Sequence, residues 1–393
     1  MLSAAETRAA ESLLGTCWDA GVTVTGAEKI WGRDHIVRLR IAGDGRSVVL
    51  KRHRTDNVGG RTQGFNAELA ALEFLGPMEP AIAPRLLGAD AAAGILIMED
   101  LGPGSSLADS LLASDRDRAQ ADLVSYARAL GTVHAWSAGR SGEYAEIRAR
   151  HAGSPESSMH PHWMDAIASG KVRFLAMSAQ LGLPTDGAAE EIDSLAALMG
   201  GSGQAGQPGQ PGQPGLVHSD LCPDNTHIVD GNCRIIDFET SGWGPVALDV
   251  AYLLAPFPSC WCFASLPAEA ASPALRAYRD QVTSAGIELG ADWETALTAA
   301  LAVPVVTRGA MIGWALDADG SWGTTTARPR ILTWLDSFIA ASSRTGALPR
   351  LRSLAEAMHD QLRQRWPDTV IPDYPALARP GATLVRITDG RSS

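Results

Sequence analysis

Apolar and polar positions alternate most clearly along "HIVRLRIAGDGRSVVLKRH", residues 35–53, on both sides of the turn "GDG". Period-two alternation broken by such a turn predicts two antiparallel strands joined as a hairpin. The period then lengthens. In "FNAELAALEFL" (65–75), Phe65, Leu69, Leu72 and Leu75 fall on one face of a helix. "APRLLGAD" and "GILIMEDLG" follow as two further strands, and residues 1–15 suggest a helix ahead of them all. Strand, strand, helix, strand, strand predicts a small antiparallel sheet with one main helix packed on it. After "EDLGPGSS" the pattern becomes helical: Leu123, Tyr126, Leu130 and Val133 share a face, as do Leu351, Leu354, Met358 and Leu362. The fold class is therefore α+β, with a sheet-bearing region over 1–101 and a larger, mostly helical one over 102–372. Residues 373–393 are expected to form a tail without a packed structure. "GSGQAGQPGQPGQPG" (201–215) is too rich in glycine and proline to build a core and is expected to be a disordered surface loop, about 200–215, without chemistry of its own.

Composition narrows the function classes. Over 393 residues, 45% apolar and 20% charged content is ordinary for a soluble globular protein. A net charge of −11 with dispersed basic residues argues against a nucleic-acid groove or an anionic membrane surface. The most membrane-like stretch, 297–316, carries Pro304 and Arg308 and predicts a buried helix or two short ones. The N-terminus shows no secretion signal, and the five cysteines, scattered except for "CWC" (260–262), which lacks the partners of a zinc site, predict reduced, buried thiols in a cytoplasmic protein. Lysine is scarce, with only Lys29, Lys51 and Lys171, so the one ending the strand "VVLK" stands out.

The candidate chemistry centres on "HSDLCPDN", residues 218–225. It lies between a short strand and "THIV", with the turn "DGN" and the strand "CRIIDFE" beyond. A hairpin there is expected to bring Asp237 beside Asp220 and Asn225. Two carboxylates and an amide oxygen form a hard donor set suited to Mg²⁺. Phosphoryl transfer asks for little more than metal ions, a lysine for the phosphates and a carboxylate at the acceptor hydroxyl. Lys51 offers the lysine, and Glu68 in the following helix could pair with it.

"HSDLCPDN" followed by "IIDFE" resembles the aminoglycoside phosphotransferase and choline/ethanolamine kinase superfamily, whose pattern is His-x-Asp-x-x-x-x-Asn and then an apolar strand ending in Asp. His218, Asp220, Asn225 and Asp237 occupy its four positions. "VVLK" and "NAEL" resemble the lysine strand and paired helix, "ILIMEDLG" the hinge, and "GPVALDVAYLL" the segment after the metal aspartate, so the likeness spans roughly residues 28–255. The resemblance implies a bilobal protein-kinase-like fold. It implies ATP, with GTP as the alternative, and Mg²⁺ held by Asn225 and Asp237. Asp220 would take the acceptor proton, and Lys51, braced by Glu68, would bind the α/β-phosphates. Backbone groups near Met98, Glu99 and Leu101 would receive the adenine. His218 and Asp249 would support the loop.

Only Gly32 stands where protein kinases have a glycine-rich loop, and ten residues separate Phe238 from Asp249, too few for a long activation segment. A small-molecule acceptor, such as an aminoglycoside, amino alcohol or sugar, is favoured over a protein. Arg33 and His35 are candidate phosphate contacts, and Asp317, Asp319 and Trp314 candidate acceptor contacts, although a loop with a buried tryptophan is the simpler expectation. Glu239 is either a second metal ligand or a strand residue facing outward, Asp224 a solvated turn acid, and Cys222 incidental. The reading from a different class is a nucleotide-binding pseudokinase that works as a scaffold.

Overall fold

Five strands carry the first part of the chain: β1 (Val24–Lys29), β2 (Ile36–Ile41), β3 (Ser47–Arg52), β4 (Leu86–Asp90) and β5 (Ile95–Glu99). They form one sheet in the order β1-β2-β3-β5-β4, antiparallel at every pairing described. The structure, a computed structural model, describes residues 2–30, 33–43, 45–53, 61–152, 162–199, 214–255, 257 and 259–378. Gly32 and the Gln-Pro-Gly repeats as far as residue 213 lie outside these residues, whereas Pro214 and Gly215, expected at the end of a disordered loop, begin the strand Pro214–Val217.

Alternation decides what each sheet face does. Val37, Leu39 and Ile41 from β2, Val48 and Leu50 from β3, and Ile95 and Ile97 from β5 make one core, closed by Ala10 and Leu14 of α1 (Ala4–Trp18). Ser3 and Glu6 cap that helix reciprocally. Lys51 is out of phase with Leu50 and so lies on the opposite face, paired in register with Leu96. The sheet thus meets a second helix besides the expected main one, α2 (Arg61–Leu75).

The chain divides into two compact units. The first holds Met1–Gly104 and also Gly142–Met159 and Arg234–Gly242. The unit therefore reaches beyond the boundary expected at residue 101, because later segments return to it. The ring of Tyr144 packs edge-on against Phe74, Arg150 and His151 pair with Glu73, and Ser241 bonds the Ala67 carbonyl.

The second unit is mostly helical and includes Ser105–Ser141, His160–Cys233 and Trp243–Ser393. In it α3 (Leu107–Leu112) and α4 (Arg116–Ser137) are capped by Ser106 and Asp115. Helix α4 packs along the helix Ala268–Ser284, and Gly131 permits the approach: a Cβ there would lie 2.9 Å from Gln281 Cβ. The apolar stretch at 297–316 becomes two helices, Trp293–Thr307 and Gly309–Asp317, broken at Arg308. Among the described residues no single helix is long and apolar enough to cross a membrane. The expected tail is ordered at its start: Asp373 bridges to Ser265, and Tyr374, Ala376 and Leu377 are buried. From 379 it lies outside the described residues.

Candidate active site

In the first unit, strand β3 delivers the Lys51 ammonium to a cluster of acids. Lys51 is 4% exposed, and its Nζ lies 2.6 Å from Glu68 Oε2 and 3.4 Å from Glu239 Oε2, and pairs with Asp237 as well. Burial presses the ammonium toward its neutral form, but Glu68, Asp237 and Glu239 outweigh it and hold its pKa above the ordinary lysine value. His53, just past the end of the same strand, brings Nε2 to 2.8 Å from Glu68 Oε2. Asp237 sits at φ 68°, a left-handed conformation that Asp tolerates, and Phe238 beside it is fully buried. Glu239 is not simply an outward strand residue; it stands at the edge of this cluster.

The segment after β5 is fixed by an acid that the sequence did not single out. Asp100 accepts Nε and Nη2 of Arg38 at 2.6 and 3.1 Å, Ser47 Oγ at 2.5 Å and the Gly102 N–H at 3.0 Å. Arg38 holds its carboxyl below the usual range although burial pushes the other way. Met98 lies in β5, and the Glu99 N–H is committed to the Arg85 carbonyl at 2.9 Å. Leu101 follows the strand, and its N–H and C=O make no hydrogen bond among the described residues.

In the second unit, the loop 218–225 is held from beneath by one carboxylate. Asp249 is fully buried, accepts the His218 N–H at 2.7 Å and the Ser219 N–H at 3.0 Å, and meets His134 Nε2 at 3.3 Å. His134 is fixed in turn by the Tyr278 hydroxyl, 2.9 Å from Nδ1. Ser219 has φ 68°, so the loop bends sharply at this point. His218 Nδ1 accepts the Asp220 N–H at 3.3 Å, and the Tyr126 hydroxyl donates to the Leu221 carbonyl at 3.1 Å.

Asn225 and Asp220 each keep one side-chain oxygen that accepts no hydrogen bond among the described residues. Asn225 donates through Nδ2 to the Asp220 carbonyl at 2.8 Å, so its Oδ1 accepts no hydrogen bond among the described residues. Asp220, half-buried, accepts Ser259 Oγ at 2.7 Å on Oδ1, and its Oδ2 accepts no hydrogen bond among the described residues. A fixed carboxylate with one open oxygen can accept a hydroxyl proton. An amide oxygen without a donor can ligate a hard cation.

Several expectations need correction. Cys222 is not incidental, and the cysteines are not all reduced: Cys222 is bonded to Cys260, their Cα atoms 5.4 Å apart as a disulfide requires. Asp224 is not a solvated turn acid, for its Oδ2 accepts Trp261 Nε1 at 2.8 Å. Trp314 is exposed, as are Asp317 and Asp319, and Asp319 caps the Arg328 N–H. Arg33 and His35 are exposed in the first unit. The residues the sequence missed are His53, Asp100, Tyr126, His134, Tyr252, Ser259 and Trp261. For His53, alternation alone could have raised it, since it shares a face with Lys51. The others act across long sequence separations and left no local signal.

A model of the phosphotransferase enzyme family (APH) matches residues 30–285. No curated protein matches the chain. Among solved structures, the chain is similar to choline kinase from Cryptosporidium parvum Iowa II, at 14% identity and a TM-score of 0.48, covering 88% of this chain and 99% of that one. It is similar to choline kinase LicA from Streptococcus pneumoniae at 12% and 0.46, covering 86% and 100%. The amicoumacin kinase hAmiN, solved with AMP-PNP, Ca²⁺ and Ami, stands at 14% and 0.42, covering 91% and 92%.

Proposed function

The chain belongs to the phosphotransferase enzyme family and is a small-molecule kinase, and we propose that it moves the γ-phosphate of ATP to a hydroxyl of a small polar metabolite or antibiotic. The acceptor class is an aminoglycoside-like compound, an amino alcohol or a sugar. Nucleic acid and membrane are not partners in this reading. The observation that carries it is the Asp220 carboxylate, fixed through Oδ1 and open at Oδ2.

In the reaction, the acceptor oxygen forms a bond to the γ-phosphorus as the bond to the bridging oxygen of ADP breaks, and Oδ2 of Asp220 receives the hydroxyl proton. Lys51, braced by Glu68, holds the α/β-phosphates. Leu101, with Met98 and Glu99 before it, receives the adenine edge. Asn225 and Asp237 offer hard oxygen donors and would hold Mg²⁺, which would supply neutralisation of phosphate charge. His218 and Asp249 shape the loop without touching the reacting atoms.

The reading places the enzyme in the cytoplasm, where ATP is supplied. The Cys222–Cys260 bridge is compatible with that compartment because both residues are buried, which limits thiol access. The test is ADP release with Mg²⁺–ATP and a panel of aminoglycosides, choline, sugars and hydroxy amino acids. One class of acceptor should stimulate release, and Asp237→Ala should abolish it. Near-normal turnover by Asp237→Ala would remove it from the metal site.

A further inference from the structure

Three consecutive residues, Ser259, Cys260 and Trp261, meet three alternate residues of the catalytic loop. Ser259 Oγ donates to Asp220 Oδ1 at 2.7 Å, Cys260 is bonded to Cys222, and Trp261 Nε1 donates to Asp224 Oδ2 at 2.8 Å. We infer that Ser259 is a positioning residue for Asp220, carried on a strap that the Cys222–Cys260 disulfide fastens to the loop. The inference rests on Asp220 being the acceptor base.

The strap is built to hold its place. Phe257, fully buried, takes φ 45°, a conformation a bulky residue adopts only when its surroundings impose it. Its ring packs edge-on against Tyr126, Tyr252 and Tyr374 at 6.2, 6.4 and 6.2 Å between centroids. On its other side the carbonyl of Cys260 accepts Nη1 of the buried Arg330 at 2.7 Å, while Nη2 reaches the Trp322 carbonyl at 2.8 Å. Gly323 lies so close that a Cβ would stand 1.9 Å from the Trp261 carbonyl oxygen. The Tyr252 hydroxyl, 3.1 Å from Ser259 Oγ, donates to the Ser219 carbonyl at 3.0 Å and so packs beside the strap while bonding the loop.

An ionised carboxylate only accepts, so the proton in the Ser259–Asp220 bond comes from Ser259. Engaging Oδ1 stops rotation of the carboxylate and leaves Oδ2 as the one oxygen presented to the acceptor hydroxyl. A strap serving stability alone would have no need to bond the reactive carboxylate. The covalent link supplies what a single hydrogen bond lacks: it keeps Ser259 within reach when the loop fluctuates.

The experiment is steady-state kinetics with Mg²⁺–ATP and the best acceptor of the panel above. Ser259→Ala should lower kcat roughly 10- to 100-fold, the range of a hydrogen bond to a charged group, while KM for ATP and the thermal melt stay at wild-type values. Ser259→Thr, which keeps the hydroxyl, should recover most of the rate. Cys222→Ala/Cys260→Ala should lower kcat as well, and adding Ser259→Ala to it should cost little more, because both act through the strap. If the cysteine variant does not fold, the Ser259→Ala and Ser259→Thr pair decides alone. Wild-type kcat in Ser259→Ala, or equal impairment of both Ser259 variants, would overturn the assignment. Asp220→Ala separates the two ideas: full activity there removes the base itself, whereas an inert Asp220→Ala beside an unaffected Ser259→Ala removes only the strap.

Discussion

Lys51→Met would strip the acid cluster of its ammonium, and the cost follows from which carboxylates it strands. The side chains of Asp237 and Glu239 are 23% and 47% exposed, so water takes over much of their charge. Glu68 has no such recourse: its side chain is 2% exposed, and among the described residues His53 remains beside it at 2.8 Å. Removing one partner of a buried ion pair costs about 3–5 kcal/mol, and Glu68 accounts for nearly all of it here. Urea unfolding followed by circular dichroism should show that loss for Lys51→Met. Lys51→Met/Glu68→Gln should recover most of it, because no buried charge is then left without a partner. A Lys51→Met protein within about 1 kcal/mol of wild type, or a double variant no better than the single one, would refute the reasoning.

Asp249→Asn offers one oxygen where the acid uses two, so one of the N–H groups of His218 and Ser219 loses its acceptor. An expected loss of about 2–3 kcal/mol, with a fall in kcat of at least tenfold, would be read from urea melts and ADP release. The pH dependence of the first unit's stability reports on Glu6. The hydrogen bond from Arg52 lowers its pKa from 4.5 to about 2. A depressed acid contributes stability that is present above pH 4.5 and lost as pH falls toward 2. Glu6→Gln should flatten the stability profile between those values, and an unchanged slope would discount the pair.

The hairpin at 35–53, the helix at 65–75 and the strands at 86–90 and 95–99 were legible because alternation and helical period are local. The candidate loop residues could be singled out for a different reason: Asp220, Asn225 and Asp237 fall within one short span of chain, and Lys51 lies near the end of a strand whose phase is plain. What escaped were partners brought together over long separations. Asp249 meets His134 across 115 residues and Asp220 meets Ser259 across 39, and neither pair marks its neighbours in the sequence. The cysteines misled because their spacing suggested no pair, whereas the fold places Cys222 beside Cys260. The return of residues 142–159 and 234–242 to the first unit was hidden likewise, since a helical period does not say which core it joins.

The most direct test of the account follows labelled γ-phosphate from ATP onto the panel of acceptors, with wild type and Asp220→Ala run side by side in Mg²⁺. The account predicts one labelled acceptor with the wild type, the label on a hydroxyl oxygen, and none with Asp220→Ala although ATP still binds. Equal labelling by both proteins, or no labelling by either with every acceptor, would contradict it.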